Sequence, residues 1–158
     1  MSARKAVIGN YIEGFRRGDH AQVLGCLAED IVWELYGHKT VRGKAAFAAE
    51  IQNDMFEGEP TLEIDRMVEE GDTVAVTGGG SVRKKTGEEM QFVFSELFTF
   101  DANLVKRLET WHIWLGSRQT VIVNTTGEVG LYQDGKPLTP EAGSFIDMLN
   151  RAAAERGK

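Results

Sequence analysis

The chain has 158 residues, of which 42% are hydrophobic and 27% are charged. This length and balance suit one globular domain with a single core, and they exclude a disordered chain. The net charge of −6 gives no electrostatic basis for binding nucleic acid or an anionic membrane surface. We therefore expect neither as a partner.

The cysteine and histidine content narrows the chemistry further. Cys26 is the only cysteine, so an intrachain disulfide is excluded and a reducing compartment is favoured. No pair of histidines stands at metal-ligand spacing, so we expect no metal and no cofactor. The N-terminal stretch lacks the pattern of a signal peptide, and no apolar run reaches the roughly 18–20 residues of a membrane span. These features predict a cytoplasmic protein.

The first sixty residues predict three helices and one strand. Val7, Tyr11 and Phe15 recur at four-residue spacing, which predicts a helix over residues 3–17, and Gly18 stands where a helix-ending glycine belongs. The elements expected to follow are a short helix capped by Asp19, a strand over 30–37 and a helix over 42–56.

From residue 61 to about residue 115 the pattern becomes that of strands. The connections "EGD", "KTG" and "DAN" are short and rich in turn formers, which predicts an antiparallel meander. The run from Gly78 to Gly80 lacks the Lys-Ser/Thr of a phosphate-binding loop, so it predicts a kink or bulge in a long curved strand. The predicted strands are 61–70, 73–85, 89–100 and 104–115.

Residues 118–158 form a different section. They predict two short strands, "VIV" and "VGLYQ", and then a helix with Thr139 as its cap and Pro140 at its first position. Forty residues are few for an independent core. We therefore predict a main domain over 1–117 and an extension over 118–158 that packs on it or on a partner subunit.

One carboxylate stands in an unusual place. In the stretch "FVFSELFTF", Glu96 shares a strand face with Phe92, Phe94, Phe98 and Phe100, because side chains alternate along a strand. A carboxyl group among these rings loses hydration, which raises its pKa and favours the protonated form that can donate a hydrogen bond. The structural alternatives are a pair with an arginine or tyrosine, or a place on an exposed edge.

The order of elements, with the stretches "NYIEGFRRGD", "CLAEDIVWELYG", "VRGKAAFAAEI", "EEGDTVAV" and "ELFTFDANLVKRLETWHI", resembles the nuclear transport factor 2-like superfamily over about residues 5–115. It is most similar to the SnoaL-like and ketosteroid isomerase-like members. The resemblance implies an α+β fold, a cone-shaped barrel in which a curved antiparallel sheet wraps against the N-terminal helices around an apolar pocket. Members include isomerases, cyclases, dehydratases, epoxide hydrolases and domains without catalysis, so the fold does not decide the function.

The tail has a weaker resemblance of its own. The stretch "VGLYQDGKPLTPEAGSFIDMLNR" looks like the last strand and helix of LysR-type effector-binding domains. The rest of such a domain is missing from the sequence, so no regulatory function is carried over.

The ketosteroid isomerase pattern implies roles for several residues. The first-helix tyrosine corresponds to Tyr11, the oxyanion-hole acid to Glu96, and the pocket positions of the last strand to Leu108, Thr110 and His112. The ordinary pKa of a histidine, near 6.5, suits His112 as a proton carrier. Tyr11, Glu96 and His112 are therefore the predicted catalytic residues, although Tyr11 and His112 also fit as ordinary core residues.

The same pattern departs from the isomerases at one position. The general base falls on Leu35, which cannot move a proton. An epoxide hydrolase-like site would need an arginine between two aspartates, and the pair Asp65-Arg66 lacks a second placed aspartate. Strand parity alone does not decide which sheet face is inward. It therefore leaves two alternatives, the lining of the pocket or a dimer face, for Trp33, Tyr36, Trp111 and Trp114. The residues predicted to bind a ligand are Trp33, Leu35, Tyr36, His38, Phe94, Phe98, Leu108, Thr110 and Trp114.

Three functions remain open from the sequence. One is a cofactor-independent pocket enzyme, of the isomerase, cyclase or dehydratase type, acting by proton transfer on a small apolar oxygen-bearing molecule. The alternative is a non-catalytic small-molecule-binding or protein-assembly domain of the same fold. The third is a structural or interaction module in which the tail helix fills or caps the pocket. In each case we expect a homodimer, because curved sheets of this kind often bury their outer face against a second copy.

Overall fold

A computed structural model of the chain describes residues 1–52, 56–116, 119–123, 129–133, 136–139 and 144–156. The chain divides into two compact units, Met1–Leu115 and Gly116–Lys158. The first unit contains α1 (Ala3–Arg17), α2 (His20–Gly25), β1 (Leu27–Leu35), β2 (Lys39–Arg42), α3 (Lys44–Ile51), β3 (Phe56–Glu70), β4 (Thr73–Lys84), β5 (Glu89–Asp101) and β6 (Leu104–Leu115). None of the described helices is long and apolar enough to cross a membrane.

The strands of the first unit form one six-stranded sheet in the order β2-β1-β6-β5-β4-β3. The four predicted strands are β3 to β6, and they make the expected antiparallel meander. β1 joins β6 in parallel, and β2 pairs with β1 as a short antiparallel edge strand. The predicted α+β fold with a sheet wrapped against N-terminal helices is confirmed, but the sheet ends at β2 and β3 and is not closed into a barrel.

The N-terminal helices form where the sequence signals place them. The Ser2 hydroxyl accepts a hydrogen bond from the Lys5 amide and begins α1, and Gly18 ends it with a φ of 65°. The Asp19 carboxylate accepts from the Gln22 amide and begins α2. The apolar side of α1 buries Ile8, Tyr11 and Ile12 against the sheet, together with Phe47 of α3.

Two of the irregularities that bend the sheet lie in β3. Its pairing with β4 shifts register between Glu57 and Thr61 and again between Ile64 and Arg66, so extra residues lie on the β3 side. β4 itself pairs with β5 without a shift from Thr73 to Arg83. The bulges predicted for the glycine run therefore lie in the strand opposite it, since extra residues on one strand of a pair bend and twist the sheet.

The glycine run is explained by close packing. A Cβ at Gly78 would overlap a backbone carbonyl oxygen of β3 and would lie 2.7 Å from the ring of Phe94. A Cβ at Gly80 would overlap another β3 carbonyl oxygen and would lie 3.0 Å from the ring of Phe92. The glycines thus leave room for two phenylalanine rings of β5 to lie against β4, on the inner face of the sheet.

The core confirms the parity expected for β5. Phe92, Phe94, Phe98 and Phe100 are all buried, with exposed fractions of 8% or less, whereas Val93 on the opposite face is 39% exposed. The inner face is therefore the one that carries Glu96.

Several boundaries differ from the predictions. β2 was not predicted, because its four residues carry one buried side chain, Val41, and so show no periodicity. β3 begins at Phe56, five residues before the predicted start, and it includes Pro60 near its end at the sheet edge. The helix expected over 42–56 is α3, which ends at Ile51, and residues 53–55 lie outside the described part of the chain.

The second unit contains a three-stranded antiparallel sheet and a helix. Its elements are β7 (Gln119–Val123), β8 (Val129–Gln133), β9 (Lys136–Leu138) and α4 (Phe145–Arg156). The Asn150 side chain accepts from the Val129 amide at 3.1 Å and donates to its carbonyl at 3.2 Å, which fastens α4 to the start of β8. The two predicted strands are β7 and β8, and β9 was missed.

The cap predicted for the tail helix is wrong. Thr139 precedes residues 140–143, which lie outside the described residues along with the predicted first position, Pro140. α4 begins at Phe145, and the Ser144 hydroxyl accepts from the Asp147 amide at 3.2 Å. Ser144 is the cap because its side chain meets the first free amides of the helix. The predicted docking of residues 118–158 on the main domain or on a partner subunit stays a prediction.

We expect Gly78→Ala to destabilise the first unit by about 3 kcal/mol, because the added methyl group meets a backbone carbonyl that cannot rotate away. Gly9→Ala is the matched control. Gly9 lies inside α1 with no atom within 4 Å of an added Cβ, so alanine should stabilise the helix by up to about 1 kcal/mol. Urea unfolding of the two variants measures both effects, and an unchanged stability of Gly78→Ala would contradict the packing role.

Candidate functional site

A cavity of about 300 Å³ lies between the N-terminal helices and the inner face of the sheet. Its walls are mostly apolar and rich in aromatic rings, which include Phe15, Trp33, Phe56, Phe92, Phe94 and Trp114. The polar side chains among the described lining residues are Tyr11, Glu50, Glu96, Thr110 and His112. A concave apolar space with a few convergent polar groups is the usual form of a small-molecule site.

All three predicted catalytic residues line this cavity. The predicted ligand-binding residues that also line it are Trp33, Leu35, Phe94, Thr110 and Trp114. Tyr11 comes from α1, Glu96 from β5 and His112 from β6, so the site depends on the packing of three separate elements.

Four residues predicted to bind a ligand do not line the cavity. Phe98 and Leu108 face each other across β5 and β6 and are fully buried in the core, where no ligand reaches them. Tyr36 is 41% exposed and stacks on Trp111 at 4.6 Å on the outer side of the sheet. His38 is exposed in the turn after β1.

Sequence reasoning missed several lining residues. Phe92 shares the parity of Phe94 and could have been found by extending the same row of side chains. Glu50 of α3 also lines the cavity, and its carboxylate pairs with the Lys39 ammonium at 2.8 Å. Phe56 could not have been found, because the predicted strand began only at residue 61.

Glu96 is partly buried in the centre of the site. It pairs directly with Thr110 across β5 and β6, and the Thr110 hydroxyl donates to Glu96 Oε1 at 3.1 Å. Burial raises the pKa of Glu96 from its ordinary value near 4.5 to about 7, and the Thr110 hydrogen bond opposes part of that rise. Among the described residues its hydrogen-bond partner is this hydroxyl rather than an arginine or a tyrosine.

Tyr11 is both a core residue and a cavity residue. Its ring is 3% exposed and makes edge contacts with Phe15 at 5.1 Å and with Phe98 at 5.4 Å. Burial raises the pKa of the hydroxyl well above 10, and the negative charge of Glu96 raises it further. The hydroxyl therefore keeps its proton at neutral pH and remains a hydrogen-bond donor.

His112 is half-buried and packs among aromatic rings. Its imidazole centroid lies 4.5 Å from that of Phe92 and 4.6 Å from that of Trp114. Burial lowers the pKa of His112 below its ordinary value of 6.5, and the positive charge of His38 lowers it further. The ring is therefore neutral at pH 7 and has a free nitrogen that can accept a proton.

The described lining contains no arginine or lysine. The predicted pair Asp65-Arg66 lies outside it, and the ion pair between Arg107 and Glu109, at 3.3 Å, is also outside it. The Glu109 carboxylate also accepts from the Tyr36 hydroxyl at 2.7 Å. A cavity with carboxyl groups and aromatic rings but no cation in its described wall favours a neutral ligand over an anionic one.

The raised pKa of Glu96 makes a stability prediction. The carboxylate costs stability as pH rises above about 4.5, and the cost levels off above about 7. Glu96→Gln removes that cost. The free energy of unfolding of the variant minus that of the native chain should therefore rise by about 2–3 kcal/mol from pH 4.5 to pH 8.5. Urea unfolding across this range measures the difference. Glu89→Gln, on an exposed position of the same strand, is the matched control and should show no such trend.

Comparison with known structures supports the architecture. An NTF2-like protein of unknown function from Burkholderia pseudomallei superimposes with a TM-score of 0.67 and 23% identity over 72% of this chain and 92% of its own. A LEH-like epoxide hydrolase from M. tuberculosis superimposes with a TM-score of 0.62 and 17% identity, over 70% of this chain and 82% of its own. A protein of ketosteroid isomerase-like fold from Catenulispora acidiphila, in complex with trimethylamine, superimposes with a TM-score of 0.61 and 10% identity, over 66% of this chain and 83% of its own. The TM-scores show a shared fold, and at these low identities the fold is all that the likeness shows.

The sequence itself identifies the family. No curated protein matches the chain significantly. The model of the SnoaL-like domain, however, matches residues 8–108, which include most of α1, most of the sheet and the cavity residues that precede Thr110. The chain therefore belongs to the SnoaL-like family.

Proposed function

We propose that the chain catalyses proton transfer on a small, neutral, apolar molecule that carries a carbonyl oxygen. Isomerisation, cyclisation and dehydration are the reactions of this type. The observation that carries the proposal is the convergence of the Tyr11 hydroxyl, the Glu96 carboxyl and the His112 imidazole in one apolar cavity. The cavity volume of about 300 Å³ is at the small end for ligand pockets, which suits a compact substrate.

Tyr11 and Glu96 would hold the substrate oxygen. Removal of a proton from the carbon next to a carbonyl sends an electron pair to the oxygen, which becomes negative. Two donors aimed at that oxygen in a poorly hydrated cavity stabilise it, and each such donor is worth about 2.7–4 kcal/mol where one has been removed by mutation. With a pKa of about 7, a large share of Glu96 is protonated at neutral pH and able to donate.

His112 would move the proton. A neutral imidazole accepts the proton from the carbon and returns it to a second carbon or to a leaving oxygen, so that charge and atoms balance. This assignment supplies the general base that the isomerase pattern places at Leu35, a residue that lines the cavity but has no basic group. The proton carrier is then on β6 instead of β1.

The second candidate is a binding protein that holds the same ligand without converting it. Leu35 favours it, because an apolar side chain occupies the position at which the family resemblance places the base. A hydrolase of the epoxide type is less well supported, since neither Asp65 nor Arg66 is among the described lining residues. The predicted homodimer and cytoplasmic location stay predictions.

Hydrogen exchange distinguishes the two candidates without knowledge of the product. We expect the chain to catalyse exchange of the α-hydrogens of 2-tetralone, a small apolar ketone, in D₂O, as measured by NMR. Tyr11→Phe removes a donor and should lower the exchange rate by about 10²–10³-fold, whereas Glu96→Gln exchanges the acid for a weaker amide donor and should lower the rate by a smaller factor. His112→Gln should abolish exchange above the level of buffer.

The matched control for this assay is Glu89→Gln, which makes the same chemical change at an exposed position of β5. It should retain the native rate. Binding of 2-tetralone, followed by quenching of tryptophan fluorescence, with no exchange above buffer would support the binding protein and contradict catalysis.

The pH dependence of exchange tests the assignment of acid and base. His112 must be neutral, so the rate should fall as pH drops through its pKa, which is lowered below 6.5. Glu96 must be protonated, so the rate should fall as pH rises through about 7. A bell-shaped kcat/KM profile with a maximum between these values is expected. Glu96→Gln should lose the alkaline limb, because an amide donates at every pH, and a rate that rises through pH 7 would make Glu96 the base instead.

A further inference from the structure

We propose that Trp33 and Thr110 are positioning residues that fix the orientation of Glu96, so that Oε2 is the carboxyl oxygen that faces a ligand. Trp33 Nε1 donates to Thr110 Oγ1 at 2.9 Å, and Thr110 Oγ1 donates to Glu96 Oε1 at 3.1 Å. We call these two hydrogen bonds the relay. The relay deepens the proposed function, because the role of Oε2 in contacting a substrate oxygen rests on that function.

The direction of the relay follows from the donors available. An indole N–H can only donate, so the Thr110 oxygen must be the acceptor of the first bond. The hydroxyl has a single proton, and the described residues offer it one acceptor, Glu96 Oε1. If Oε1 carried the carboxyl proton, the Thr110 hydroxyl would face a weakly accepting acid OH in place of a strongly accepting carbonyl oxygen. The proton of the neutral acid is therefore on Oε2.

The backbone holds all three residues of the relay in register. Glu96 and Thr110 are direct partners across β5 and β6, and β1 runs parallel to β6 with Trp33 opposite Leu108. The Trp33 ring also packs on Phe47 of α3, with centroids 4.9 Å apart. The three polar groups thus belong to three adjacent strands, and Trp33 cannot turn away without breaking its contact with Phe47.

The relay also limits how far the pKa of Glu96 rises above that of an ordinary glutamic acid. A hydrogen bond from Thr110 favours the carboxylate and so opposes the effect of burial. The other titratable groups that face this space from the packed elements are Tyr11 of α1, His112 of β6 and, beside Lys39, Glu50 of α3. Tyr11 and His112 are uncharged at pH 7, and the hydrogen bond from Thr110 is the effect that opposes burial at the carboxyl group.

The test is a titration of the full chain, without ligand, in which the side-chain carboxyl carbons of glutamate are labelled with ¹³C and followed by NMR. We expect the Glu96 midpoint to move upward by about one pH unit in Thr110→Val, which is nearly isosteric but has no hydroxyl. Thr110→Ser restores the donor and should keep the native midpoint. Trp33→Phe should move the midpoint upward by less, because it removes only the group that orients the hydroxyl.

The results of this titration test the hydrogen bonds of the relay independently of whether the chain is an enzyme. An unchanged or lowered midpoint in Thr110→Val overturns the relay, and so does an equal rise in Thr110→Ser, which would point to packing and not to the hydroxyl. If Thr110→Val does not fold, Trp33→Phe decides, since an unchanged midpoint there also overturns the relay. Because no ligand is present, these results are independent of whether the chain exchanges the hydrogens of 2-tetralone.

Discussion

The burial of one carboxyl group among aromatic rings is the constraint on which the site depends. Glu96 lies on the face of β5 that carries Phe92, Phe94 and Phe98, and loss of hydration there raises its pKa to about 7. Such a group is unfavourable for stability unless a partner offsets the cost, and Thr110 supplies only one hydrogen bond. The rest of the carboxyl group is left available to the cavity, which is the arrangement that a ligand oxygen can complete.

The shape of the cavity has its origin in β3 and β4. The glycine run lets the rings of Phe92 and Phe94 approach the backbone of β4, and the extra residues of β3 bend the edge of the sheet. Together they leave an apolar cavity above the inner face. The groups packed around Glu96 reduce the hydration of its carboxyl group, and this burial raises its pKa.

The sequence predicted the parts of the site that depend on strand periodicity. Alternation in β5 placed Glu96 on the same face as the four phenylalanines, whereas the place of Tyr11 in the site came from the resemblance to the ketosteroid isomerases. Depth could not be predicted in this way, because Phe98 and Leu108 have the same parity as cavity residues but lie below the cavity. The hydrogen bond from Trp33 to Thr110 joins residues 77 positions apart in the chain, and it needed the parallel register of β1 and β6.

The inner face of β6 orders the site by depth. Leu108, Thr110 and His112 follow one another at alternate positions, so the first fills the core, the second orients the acid and the third reaches the cavity. Because Glu96 is opposite Thr110, the backbone positions of Glu96 and His112 are offset by about 7 Å along the strands. Side chains at this offset on one face can contact different atoms of one small ligand, such as a carbonyl oxygen and the carbon next to the carbonyl group. The spacing thus gives a physical reason why a base on β6 can act in a fold whose position on β1 carries Leu35.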